Sequence, residues 1–197
     1  VTIETSRSDV TLIAMVSQAG SDVSSRLLDA AAHLIIEGGP ATVSVSAIAA
    51  QAGVSRMTVY RKFPDKHAVL GELFNRELGF ILDRAVRADA PTQRDLIVEM
   101  VSLTVGEINV HPLMQAVLRQ EPEELTEWIT GRLGRTQRQA RTVLHDLICA
   151  GQADGSVRAG DPDDMSLTLV LVAQTFVFAH RIGGNDSELR TLVKGYL

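Results

Sequence analysis

Between Val54 and Lys66 the chain reads VSRMTVYRKFPDK, which sets four basic side chains (Arg56, Arg61, Lys62, Lys66) against one acid, Asp65. That is a local charge of +3 in a protein of 197 residues whose net charge is −5. Hydroxyls on Ser55, Thr58 and Tyr60 are interleaved with the cations. These groups have the chemistry of nucleic-acid recognition. Arginine forks onto guanine, a threonine methyl meets the thymine methyl, and lysine, serine and tyrosine hold phosphates. A single basic amphipathic helix is more often a solvated surface than a reader, so the neighbouring spacing has to decide.

That spacing is informative. Val45, Ile48, Ala49 and Ala52 recur at i, i+3, i+4 and i+7, one apolar stripe on a helix that Ser44 is suited to cap. Gly53 should stop it, because glycine takes the left-handed conformation at little steric cost, and Ser55 should cap a second helix. A helix-turn-helix needs a small residue where its helices touch, a glycine in the turn and an apolar residue locking the second helix down. Ala49, Gly53 and Val59 supply all three. At about 100° per residue, Val59 and Phe63 share the inward face, Met57 and Arg61 point away, and Thr58 and Tyr60 flank them.

The run GVSRMTVYRKFPDKHAVL, from Gly53 to Leu70, resembles the signature of the tetracycline-repressor (TetR) family: glycine-valine-serine, then a threonine, an aliphatic, a tyrosine, a phenylalanine and a lysine at fixed intervals. The close match covers roughly 27 to 74. The resemblance implies that Ser44, Ser46, Thr58, Tyr60 and Lys66 meet phosphate or bases, as Ser55 beside them would. It also implies that Arg56, Met57, Arg61 and Lys62 occupy the variable positions that set sequence preference. Position 57 often carries a smaller residue in such proteins. Met57 here is either an apolar contact for a thymine methyl or a surface methionine with no specific partner.

Around this unit, Asp22 to Glu37 should form a supporting helix with Leu27, Ala31, Leu34 and Ile35 buried, stopped by Gly38-Gly39-Pro40. Asp65 looks like the cap of a fourth helix, with Val69, Leu70, Leu73 and Phe74 inward, continuing through Leu78, Ile81 and Leu82 to about Arg87. Residues 1–20 lack strong periodicity and read as a flexible arm. Arms of this kind enter the minor groove when rich in arginine, but Arg7 is the arm's only basic residue, beside Glu4 and Asp9.

Charge divides the chain. Residues 22–76 hold six basic and five acidic side chains, whereas 77–197 hold twelve and seventeen, which places nucleic-acid affinity at the N-terminal end. Hydrophobic residues at 45% and charged residues at 22% argue against disorder. Apolar residues recur at helical spacing, and no alternating strand pattern appears. The expectation is an all-α chain: an arm at 1–20, a helix-turn-helix DNA-binding domain at 21–76, and a helical effector-binding and dimerisation domain at 77–197.

In the body, 92–109 is apolar on more than one side and should be central, and His111-Pro112 should start a short helix. Glu121 to about Ala153 reads as a long helix, broken near Gly131 or Gly134. Two helices follow, at 163–182 and 187–196, and the resemblance suggests that they pair with their symmetry mates in a four-helix dimer interface; the competing use for the apolar penultimate helix is an intramolecular core, and both uses can hold on opposite faces. Arg132, Arg135, Arg138 and Arg141 recur every third residue and read as a solvated face, with an anionic ligand such as an acyl-coenzyme A as the alternative. Met100, Thr104, Met114, Trp128, Gln174 and Phe178 are the candidate ligand-pocket residues, each weighed against ordinary core.

No catalytic or metal constellation stands out, and no cofactor is implied. His33, His67, His111, His145 and His180 are dispersed, there is no phosphate-binding glycine loop, and Cys149 is the single cysteine. The apolar stretch 165–179 is too short to cross a bilayer and no leader is evident, so a cytoplasmic protein is expected. One recognition helix reads few base pairs, so specificity calls for a homodimer on a palindromic double-stranded operator, its half-sites about 34 to 36 Å apart. By resemblance the chain is a repressor released by a small-molecule effector. The alternative is a helical ligand-binding or interaction module with a residual DNA-binding head.

Overall fold

In the computed structural model of the chain, the backbone is described for residues 7–120, 134–179 and 184–197, and the side chains for 23–117, 135–178 and 184–197. All regular structure among the described residues is helical. The chain divides into two compact units, 1–73 and 74–197. The sequence boundary at 76/77 and this division at 73/74 both fall inside one helix, α4 (Lys66–Ala85).

The first unit begins with α1 (Arg7–Gly38). Leu27, Ala31 and Ile35 recur at intervals of four and are buried, which orients the helix on its neighbours. The expected arm is corrected here: the helix does not start at Asp22 but runs back to Arg7. Residues 7–21 contain no proline, and Gly20 costs only about 1 kcal/mol relative to alanine. A helix already nucleated by packing propagates through such a segment. It ends where Gly39 takes φ 81°, followed by a 3₁₀ turn at Pro40–Thr42 whose Thr42 hydroxyl donates to the Gly39 carbonyl at 2.7 Å.

Two seven-residue helices follow, α2 (Val45–Gln51) and α3 (Arg56–Lys62), with α1 packed on α2 and α2 on α3. Helices this short do not persist alone. They are held by burial of Ile48, Ala49 and Val59, with Val43 beneath the entry turn. Asp65 caps α4, its Oδ1 accepting from the Ala68 N–H at 2.8 Å, and Val69, Leu70 and Leu73 are buried as the period required.

In the second unit α5 (Gln93–Val110) is central, packing against α6 (Pro112–Gln120), α7 (Gly134–Ala153), α8 (Pro162–Ala179) and α9 (Asp186–Tyr196). Its apolar residues on several sides require several partners, as the sequence indicated. Thr92 caps α5 by accepting from Asp95 N, and α9 opens with a reciprocal box between Asn185 and Glu188. The helix expected over 121–153 is described from Gly134 onward; 121–133, with Trp128 and Arg132, lies outside the described residues. The penultimate helix is described to Ala179, and 180–182 also lies outside.

The last helix, expected to pair with a symmetry mate, also packs within its own chain. Leu189, Val193 and Leu197 are buried with α5 in the chain's own core. Two bridges fasten the helix there: Arg190 Nη1 to Glu99 Oε2 at 2.5 Å and Lys194 Nζ to Asp95 Oδ1 at 3.6 Å. The Arg158 guanidinium lies 4.8 Å from the Tyr196 ring centre, and its Nε donates to the Tyr196 carbonyl at 2.7 Å. The buried stripe of this amphipathic helix packs inside the chain, while Leu192 on another face is exposed.

Candidate nucleic-acid interface and body cavity

The geometry of α2 and α3 is set by their caps. The Ser44 Oγ accepts from the Ala47 N–H at 3.1 Å, and the Ser55 Oγ accepts from the Thr58 N–H at 3.1 Å. Between the helices, Gly53 N donates to the Ala50 carbonyl at 3.2 Å and Val54 N to the Ala49 carbonyl at 2.9 Å. That crossed pair closes a helix through a left-handed residue, and Gly53 has φ +66°. No atom lies within 4 Å of where its Cβ would stand, so backbone conformation rather than crowding calls for glycine. Val59, at 0% exposure, then fixes the rotation of α3.

With Val59 inward, the remaining side chains of α3 face out as the 100° rule directs. Met57 is 71% exposed and Tyr60 52%, and Arg56, Arg61 and Lys62 are exposed around them. Thr58 is half-buried, its Oγ1 sharing a hydrogen bond with Ser55 Oγ at 3.0 Å. Ser44, Ser46 and Ser55 are exposed and Lys66 is half-buried at the start of α4. The ten nominated side chains thus sit on α3, on the caps and first turn beside it, and at the head of α4. The Ser44 lone pair holds its cap while its O–H proton stays available to an outside acceptor, whereas Ser55 and Thr58 spend one hydroxyl proton on their shared hydrogen bond.

The body contains a cavity of about 180 Å³. Phe74, Leu78 and Leu82 of α4 form one wall, and Met100, Thr104 and Ile108 of α5, Met114 and Val117 of α6, Thr136, Gln137 and Ala140 of α7, and Ala173, Gln174, Val177 and Phe178 of α8 contribute to the rest. Five of the six nominated pocket residues are brought together there: Met100, Thr104, Met114, Gln174 and Phe178. Trp128 lies outside the described residues. The α4 wall and the α7 residues were missed as pocket lining. Leu78 and Leu82 continue the stripe that reads equally well as core, so only the structure separates a wall from a filling.

Among the described residues no charged side chain lines this cavity. Thr136 Oγ1 donates to Asn75 Oδ1 at 2.8 Å, tying α7 to α4 at its edge. Arg135 and Arg138 are exposed and, by helical rotation, about 150° from the direction shared by Thr136, Gln137, Ala140 and Leu144. Arg141 pairs with Asp163 at 3.0 Å. The solvated-face reading therefore suits Arg135 and Arg138 better than the anionic-ligand reading. Beyond the cavity, Glu77 receives Arg76 at 2.8 Å and His111 Nε2 at 3.6 Å, and Arg84 pairs with Glu107, a hydrogen bond that holds the guanidinium above its ordinary pKa.

Residues 27–73, almost the whole described side-chain set of the first unit, match the bacterial regulatory proteins of the tetR family. An uncharacterized HTH-type transcriptional regulator of Mycobacterium tuberculosis is 30% identical over 184 residues, covering 90% of this chain and 95% of that protein. The chain belongs to the TetR family of transcriptional regulators. TetR-family folds agree with it: the Rhodococcus erythropolis transcriptional repressor QsdR superposes with a TM-score of 0.68 at 16% identity, over 90% of this chain and 95% of that one. FadR of Bacillus subtilis, solved in complex with stearoyl-CoA, gives 0.65 at 22% identity over 87% and 98%. The chain is thus a DNA-binding regulator with a helix-turn-helix, of a family that is not enzymatic. Among the described residues no helix is long and apolar enough to cross a membrane.

Proposed function

We propose that this regulator is a repressor that occupies a palindromic operator as a homodimer in the cytoplasm and leaves it when an apolar small molecule of the long-chain acyl class fills the body cavity. The observation that carries this reading is the cavity, lined by uncharged side chains among the described residues and walled on one side by α4, the helix that begins at Lys66 in the matched head. A ligand there touches the element that continues into the DNA-binding unit. It shifts the protein only as far as it prefers the DNA-incompetent arrangement.

The lining supports an aliphatic ligand, since each buried methylene contributes about 0.8 kcal/mol and, among the described residues, no cation lines the cavity to neutralise a buried acid. FadR, with stearoyl-CoA, is a relative in fold whose ligand carries such a chain. On the DNA side, Ser44, Ser46, Ser55, Thr58, Tyr60 and Lys66 are assigned to the phosphate backbone and Arg56, Met57, Arg61 and Lys62 to base edges. A head retaining this full set is not residual. For the dimer, Leu167 and Leu171 stand one turn apart on an exposed stripe of α8, the helix that packs on α7. A twofold contact buries the same stripe on both copies.

The test is fluorescence anisotropy on duplexes enriched from a random pool by the full chain, followed by titration with stearoyl-CoA, free stearate and acetyl-CoA. A twofold-symmetric consensus, two protomers per duplex and release by the long-chain ligands but not by acetyl-CoA are expected. Release by acetyl-CoA alone would overturn the acyl-chain assignment, and an asymmetric site bound by one protomer would overturn the palindrome.

A further inference from the structure

We infer that Met57 is a specificity-determining residue that recognises the 5-methyl group of thymine in the major groove. The inference rests on the head being a sequence reader and goes beyond it by naming a base feature and the side chain that takes it. Met57 stands two residues before the buried Val59, so its Cβ points about 160° away from the packing face, outward along the centre of α3. Its 71% exposure agrees.

An exposed apolar residue alone is ordinary, and Phe80 and Val110 are others on the described surface. Met57 differs in what surrounds it. Ser55, Arg56, Tyr60, Arg61 and Lys62, the other exposed side chains of α3 and its cap, all carry donors for phosphate or base edges. The thioether of Met57 has none. The one apolar group that the major-groove edges offer is the thymine methyl. An unbranched, adaptable side chain with a polarisable sulfur suits a small convex contact of this kind.

Arg61 lies one turn further on the same face, about 6 Å along the axis and some 40° around it. Base pairs stack at about 3.4 Å. The thymine read by Met57 should therefore lie within about two base pairs of a guanine that Arg61 contacts through O6 and N7.

The experiment replaces thymines one at a time by deoxyuridine in the duplex selected by the full chain, which removes the methyl and nothing else, and compares wild type with Met57→Ala and Met57→Leu. Circular dichroism and thermal melting establish that the variants fold. At one thymine per half-site the wild type should lose about fourfold in affinity on methyl removal, the value expected for one buried methyl-sized group. Met57→Ala should be indifferent at that position while still sensitive elsewhere, and Met57→Leu should keep most of the discrimination. A selected duplex in which no uridine effect disappears in Met57→Ala overturns the assignment and leaves the regulator intact. Failure to select any sequence would overturn the reader itself and this inference with it.

Discussion

In the head, α2 and α3 are seven residues each, bury little more than Ile48, Ala49 and Val59, and turn nearly everything else outward. In the body, α5, α7 and α8 run 18 to 20 residues, pack on several sides, and leave a partly open cavity of about 180 Å³. The difference follows from what each must fit. A duplex presents a constant geometry, so the head needs one rigid surface with donors at set positions. A small molecule is enclosed, so the body needs an interior that tolerates missing contacts, which close packing otherwise penalises.

If the head is rigid because of one locking residue, breaking that residue should have the largest effect. Val59→Asp would bury an unpaired carboxylate at a site with no solvent access, costing several kcal/mol, and operator binding should vanish together with a fall in the urea midpoint. A variant that still binds with wild-type affinity would remove Val59 from that role. Next comes the body's outer face. Leu167→Glu with Leu171→Glu should yield monomers by sedimentation velocity and weaken operator binding at least about a hundredfold, because the second half-site then binds independently.

The interior is tested by filling it. Ala173→Phe should reduce stearoyl-CoA affinity by about tenfold or more while leaving operator affinity within about twofold, read by calorimetry and anisotropy. Equal loss of both would mean that the cavity is only a packing flaw. On the head's surface, Lys66→Ala should weaken binding a fewfold across all sequences and lower the salt slope by about one unit, whereas Arg61→Ala should change which base is preferred.

The smallest effect concerns the α5–α9 fastening. The hydrogen bond from Arg190 holds the Glu99 carboxyl below its ordinary value of 4.5. The pair therefore adds stability above about pH 4.5 and loses it as pH falls through the lower folded value. Both side chains are about one-third exposed, so solvent screening limits the contribution to no more than about 0.5 kcal/mol. Acid titration of thermal stability should show Glu99→Gln with a flatter acid limb than the wild type.

The same contrast explains what could be read in advance. Ser44, Gly53 and Ser55 each answer to a backbone requirement at a single position and Val59 to burial of its side chain, so their types and intervals sufficed to place α2, the turn and α3. The Asp65 cap was legible for the same reason. The cavity was legible only where its residues were chemically unusual, as Thr104 and Gln174 are. Leu82 or Ala140 facing a void is the same letter as one facing a neighbour. The stripe of Leu189 and Val193 is likewise mute about whether it covers a partner or the chain's own α5. Residues 7–20 carry too faint a period to reveal a helix that is extended from 22–38 by continuity.

The turn between α2 and α3 has a stereochemical consequence. Gly53 stands at φ +66° with open space where a Cβ would project, so the obstacle to a side chain there is handedness and not volume. A mirror-image residue prefers that dihedral. D-alanine placed at 53 by semisynthesis should raise stability by about 0.4 to 1 kcal/mol through fewer unfolded conformations, while L-alanine at the same position should lower it. Two enantiomers of one methyl substitution would then move the same reading head in opposite directions.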